Sequence, residues 1–246
     1  MMPSRVSVQK RATLFIPKFY AFSNESKAFG EELLPGAKAC VINNLPIPFS
    51  APTVAPFGMG SVPADNGPWQ LTINQKRLLF LPNRVDFIDS EATNTDETLI
   101  QFLNEAINIF RRILNDARVA IRVAYGVVFA FDNDADFNND QFFADLLPNV
   151  RMDGAIPREV SIRNLFSKQR QLGEKTIPVN SLINLSCGIK TDKADGAEPR
   201  TSNVLLAELD INTAPNASMK FDALDLNNFY KNVTTWSEEL LSAYFK

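Results

Sequence analysis

The stretch from Phe131 to Asp140, FDNDADFNND, places four aspartates and three asparagines in ten residues. Asp132, Asp134 and Asp136 alternate as the oxygen ligands of a calcium loop do, since a hard cation is wrapped by carboxylates at every second position. Such a loop also needs a glycine at its sixth position for the turn and a glutamate at its twelfth for bidentate ligation. Those positions hold Phe137 and Phe143, so half of the motif is present. A plainer reading uses each acid locally: a strand ends here, an amphipathic segment begins, Asn138 or Asn139 caps it, and Asp140 lies near its positive end.

Two other groups of residues have types that suit a site. Glu208 and Asp210 share one phase of a predicted strand and Asp86 lies on another; together the three carboxylates would hold a magnesium ion for phosphoryl hydrolysis. No supporting lysine stands at a nuclease-like spacing beside them. Arg118 and Arg122 share a strand face with Ala120 and Ala124, an arrangement of cations among small neighbours that suits an anionic ligand. The bland alternative for both groups is a solvated or ion-paired sheet face.

The chain contains no histidine. That excludes Ser-His-Asp triads, Cys-His dyads, HExxH metal sites and any imidazole base. GxGxxG, GxxxxGK[ST] and GxSxG are absent from the sequence as well, so no cofactor is expected and no catalytic residue is assigned.

The elements that must position these residues follow from composition and pattern. The chain has 246 residues, 45% of them hydrophobic, enough to bury a sizeable core. Its 19 phenylalanines against 4 tyrosines point to interior aromatic packing. A net charge of −3 gives no field toward phosphate backbones, so nucleic acid is disfavoured as a partner. Cys40 and Cys187 lack CxxC spacing, and no stretch approaches the roughly 20 apolar residues of a membrane span. The apolar patch from Leu14 to Phe22 is short and is broken by Pro17 and Lys18, unlike a signal peptide. A reducing, cytoplasmic setting without membrane contact is the expectation.

Ala12 to Phe19 reads as a strand, placed at a sheet edge because Pro17 cannot donate to a ladder. Between Leu45 and Pro68, six prolines alternate with apolar residues, among them Phe49, Phe57 and Met59, which are candidates for binding a protein partner. Alternation then predicts a three-stranded meander over Trp69–Ile88. A long helix follows Asn94, with Leu99, Leu103, Ala106, Ile107 and Phe110 on one face and a second apolar stripe at Ile100, Phe102 and Ile109. A strand over Arg118–Phe131, with Gly126 as a bulge, leads to further strands over Glu159–Ser167, Thr176–Lys190 and Asn203–Ile211. A last helix from about Asp225 carries Phe229, Val233, Trp236 and Leu240 on one stripe.

This order of elements, carried by Trp69-Gln-Leu-Thr-Ile, Arg84-Val-Asp-Phe-Ile, Ile121-Arg-Val-Ala-Tyr and Leu206-Ala-Glu-Leu-Asp-Ile, resembles a sporadically distributed family of bacterial proteins of similar length. The resemblance implies an α+β architecture and no established activity. The family pattern often has a histidine near the start of the last helix, where this chain has Phe229-Tyr230-Lys231.

Taken together, the residues predict an α+β protein: antiparallel sheet, in one piece or two, backed by two long amphipathic helices, with room for a loose internal duplication between residues 1–149 and 150–246. The expected function is a non-catalytic protein-binding module or an assembly subunit that recognises a protein partner or itself. The alternatives are a carboxylate-metal phosphohydrolase or nuclease, and a sensor of a small anionic ligand.

Overall fold

In a computed structural model the described residues are 4–16, 30, 32–41, 69–81, 83–93, 96–114, 119–132, 138–146, 160–192, 200–216 and 219–245. Their apolar alternation builds nine strands: β1 (Val6–Phe15), β2 (Lys38–Val41), β3 (Trp69–Ile73), β4 (Lys76–Leu81), β5 (Arg84–Asp89), β6 (Arg122–Asp132), β7 (Ser161–Leu172), β8 (Lys175–Asp192) and β9 (Arg200–Thr213). All pair antiparallel in one sheet, in the order β2-β3-β4-β5-β1-β6-β9-β8-β7. Strands from both halves of the chain therefore share one sheet. Three helices accompany them: α1 (Asp96–Ile113), α2 (Asn139–Leu146) and α3 (Ala223–Ser242). Among the described residues no helix is long and apolar enough to cross a membrane.

Antiparallel register lines up side chains in rows across the sheet. One row runs Leu71, Leu78, Phe87, Ala12, Tyr125, Ile211, and each of these residues is 0% exposed. This face is covered by α1 and α3, which also touch each other. From α1, Phe102 stacks on Phe87 of β5 with ring centroids 5.2 Å apart. From α3, Phe229, Val233 and Trp236 are buried in the same apolar cluster, the expected stripe of an amphipathic helix. Asp222 starts α3 by accepting hydrogen bonds from the Leu224 and Asp225 amides, while the Asp225 carboxylate accepts from the Asp222 amide, a complete capping box. The second apolar stripe of α1 is mostly not a free surface: Phe102 and Ile109 are buried, and only Ile100 is exposed.

The arrangement on either side of the β1–β6 seam follows one plan. Outward from the seam the order is β1, β5, β4, β3 on one side and β6, β9, β8, β7 on the other. In each group the seam strand is followed along the chain by a meander whose last strand returns beside it, and then by a long helix. The β3–β4 and β7–β8 hairpins both turn on a residue with positive φ, Asn74 at 53° and Gly173 at 62°, where asparagine and glycine are the least strained choices. The lysine after each turn reaches the covering helix, Lys76 to Glu105 and Lys175 to Asp225.

Two sequence expectations change here for physical reasons. β1 is a central strand: it ends at Phe15 and is paired with β5 on one side and β6 on the other, while Pro17 lies outside the described residues. Gly126 lies in regular register with Arg11 on one side and Asp210 on the other, and the register shift sits in β1 between Ser7 and Gln9. At that shift Ser7 and Thr93 exchange backbone hydrogen bonds of 2.7 and 2.9 Å.

Lys10, 1% exposed, secures the same corner. Its ammonium donates to the Glu91 carbonyl at 2.9 Å and to Thr93 Oγ1 at 3.4 Å, and it lies 3.5 Å from Asp89 Oδ2. Asp89 in turn accepts from the Glu91 amide at 2.8 Å. The pair thus fixes the segment that feeds α1. Removing one member leaves the other charged and buried, so Lys10→Ala is expected to lower the unfolding free energy by about 3–5 kcal/mol. Lys10→Met with Asp89→Asn should lose less. Urea unfolding measures both, and a loss below about 1 kcal/mol for Lys10→Ala would assign the pair no structural weight.

Candidate functional site

The opposite face of the sheet carries four of the residues that the sequence singles out: Asp86, Arg122, Glu208 and Asp210. Register there places Phe15 directly between Arg84 and Arg122. In the next row Asp86, Thr13, Ala124 and Asn212 follow one another, and in the row after that Arg11, Gly126 and Asp210. The face is polar in composition, yet Asp86, Thr13 and Asn212 are all buried.

Asp86 is a structural carboxylate. Thr13 Oγ1 donates to its Oδ1 at 2.6 Å, and Arg84 Nε sits 3.0 Å from Oδ2 as an ion pair too bent to count as a hydrogen bond. Arg122 is in a different state. Its guanidinium lies over the Phe15 ring, 4.9 Å from the centroid, and its Nε is buried with no hydrogen-bond partner. Burial pulls its pKa below the ordinary arginine value; Asp210 opposes that shift and Arg84 adds to it. Asp210 accepts from Asn212 Nδ2 at 2.9 Å, and Glu208 from Asn184 Nδ2 at 3.4 Å.

The three carboxylates proposed around magnesium are not brought together. Glu208 and Asp210 are neighbours on β9, but Asp86 is on β5, with β1 and β6 between them. Three interstrand spacings amount to about 14 Å, far beyond shared ligation of one ion. Among the described residues no group of three acidic, histidine or cysteine side chains could hold a metal. Asp132 ends β6, opposite Val204; its side chain, together with Asp134 and Asp136, lies outside the described residues. Asn138 accepts from the Gln141 amide at 3.0 Å, the capping role read for it. Arg118, Phe49, Phe57 and Met59 also lie outside the described residues.

The feature that sequence reading missed is the outer edge of β7. This strand, SIRNLFSKQRQL, has twelve residues, nine of them exposed, with Leu165 and Phe166 at 60% and 45%. Because they are adjacent, they point to opposite faces of the sheet. The signal was present in the sequence: neighbouring apolar residues inside a strand cannot both enter one core. β7 is fastened to α3 by Glu239, which takes Lys168 at 2.8 Å and Arg170 at 2.5 Å. Asn164 also donates to the Tyr244 hydroxyl at 2.6 Å, and Arg170 lies over the Trp236 ring.

Those two cations, Arg170 first, hold the Glu239 carboxyl below the usual glutamate range. A depressed folded-state pKa contributes stability above the unfolded value of about 4.5 that is lost as pH falls through the folded value. Glu239→Gln should therefore flatten the acid limb of a melting-temperature profile below about pH 4.5, by under about 1 kcal/mol because water screens this half-exposed group. An unchanged acid limb would show that the bridges contribute nothing.

No protein-family model matches this chain, and no curated protein matches it.

Proposed function

We propose that this chain is a non-catalytic protein-binding module or assembly subunit, and that its working surface is the outer edge of β7. The supporting observation is the strand itself. An edge strand offers a row of unpaired amides and carbonyls, and proteins usually blunt it by shortness, proline, bulges or charge. β7 runs twelve residues without proline or glycine, in unbroken register with β8. Its charge defence is partial, since Glu239 already engages Lys168 and Arg170. Such an edge takes an added strand: main-chain hydrogen bonds supply affinity and alternate side chains supply specificity. The same reading takes the two halves as an internal duplication, on the strength of their shared strand order, hairpin turns and lysine-to-helix pairs. Membership of the bacterial family that the chain resembles, and a cytoplasmic setting, belong to this proposal too.

A second reading has its own support. Arg122, with a buried unpartnered Nε, a phenyl ring beneath it and Arg84 across Phe15, suits a small anion such as inorganic phosphate.

The first reading is tested by co-expressing two differently tagged full-length copies in the native cells and purifying one of them, as wild type and as Leu165→Lys with Phe166→Lys. Both side chains are exposed, so the melt should move little, within about 0.5 kcal/mol each. A stoichiometric companion, another protein or the second copy, should accompany the wild type and be lost from the variant. Retention by the variant would remove β7 from the interaction. For the second reading, saturating phosphate should raise the melting temperature of the wild type and not of Arg122→Ala; a ligand at a hundred times its Kd contributes about 2.7 kcal/mol. Equal shifts, or none, would dismiss the anion site.

A further inference from the structure

We propose that the strand received by β7 is the β7 of a second copy of this chain, paired antiparallel about a two-fold axis through Phe166. The inference rests on the reading of β7 as the working edge and goes further by naming the occupant and the register. Within the fold, β7 occupies the place in its group that β3 occupies in the other, and β3 has β2 hydrogen-bonded along its outer side. Among the described residues no strand pairs with the outer side of β7. An added strand there completes the arrangement the other half already has.

The symmetry of a homodimer limits how the two edges meet. A two-fold axis perpendicular to the sheet keeps the helices of both copies on one side, and residues that oppose one another must share a face. Even-numbered β7 residues share the helix-covered face, as Lys168 and Arg170 do through Glu239, and odd-numbered residues share the other. Even then opposes even and odd opposes odd. Arg163 therefore never faces Lys168 or Arg170.

Among the remaining registers, two use eleven residues of each strand: one centred on Phe166 and one on Ser167. Centring on Ser167 sets Phe166 against Lys168. Centring on Phe166 sets the two phenyl rings against each other, Asn164 against Lys168, Ile162 against Arg170, and Arg163 against Gln169; in both registers every cation meets a neutral side chain, and only this one pairs the exposed aromatic rings. It also brings the two Leu165 side chains into diagonal proximity on the far face. Phe166 pairs with Ser181, which pairs with Ile211. The buried row through Leu71, Phe87 and Tyr125 would thus continue across the axis into the second copy.

The test is sedimentation of the full chain at tens of micromolar as wild type, Phe166→Lys and Phe166→Glu. The wild type should be a dimer. Either variant places like charges on the axis and should be monomeric, with a dissociation constant raised at least tenfold and a melt that stays cooperative and matches the wild type at concentrations where the wild type is itself dissociated. Mixing the two variants should restore a dimer, because lysine then faces glutamate. A dimer that survives both substitutions, or a mixture that stays monomeric, overturns the proposal. A monomeric wild type overturns it too; if that monomer still captures another protein and Leu165→Lys with Phe166→Lys releases it, the edge remains the working surface and only self-pairing fails.

Discussion

The pairing of β1 with β6 joins the two strand groups, and the rest of the architecture depends on it. These strands touch through nine residue pairs and sit at the middle of the sheet, so both of their neighbours, and both long helices, take their positions from this seam. Antiparallel backbone pairing alone would leave the two strands free to slip by two residues. Tyr230 removes that freedom. Its hydroxyl, fully buried on α3, is shared between the Thr13 carbonyl on β1 at 3.2 Å and the Ala124 carbonyl on β6 at 3.1 Å. A C-terminal helix thus records the register of a strand near the start of the chain and one near its middle. Burial drives the pKa of this tyrosine well above its ordinary value, so it remains a neutral donor throughout the physiological range.

The two faces of the sheet solve different problems. On the helix-covered side, apolar rows meet apolar stripes, and one buried charged pair, Lys10 with Asp89, is placed where a loop must be held. On the other side, Thr13 and Asp86 are buried as a pair that crosses from β1 to β5. Such a pair contributes little net energy, but a slipped register between these strands would leave both groups unsatisfied at a cost of kilocalories. It therefore acts as a check on strand order more than as a source of stability.

Local signals were legible in the sequence and long-range ones were not. The spacing of Leu99, Leu103 and Phe110 identifies α1, and the Trp69 to Ile88 alternation identifies a meander, because each depends on neighbours within a few residues. The central place of β1 depends on partners about 75 and 115 residues away in sequence, and the nearby Pro17 misdirected the reading toward an edge. The flanking of Phe15 by Arg84 and Arg122 was hidden for the same reason: three strands contribute one residue each, and only their order makes them neighbours. The edge of β7 was nearer to hand, in the adjacency of Leu165 and Phe166, but an exposed strand and a buried one differ in what lies beside them, which one sequence does not state.

The two ends of the sheet are unequal: β2 offers four residues and β7 twelve. A sheet with two long matching ends can join head to tail without limit and grow into a filament. Over the described residues a head-to-tail union would be held by four residues of backbone, whereas a tail-to-tail union would use the longer end of both molecules. Between ends so unequal, strand length alone favours a closed pair over a growing filament, a bias against fibrous aggregation.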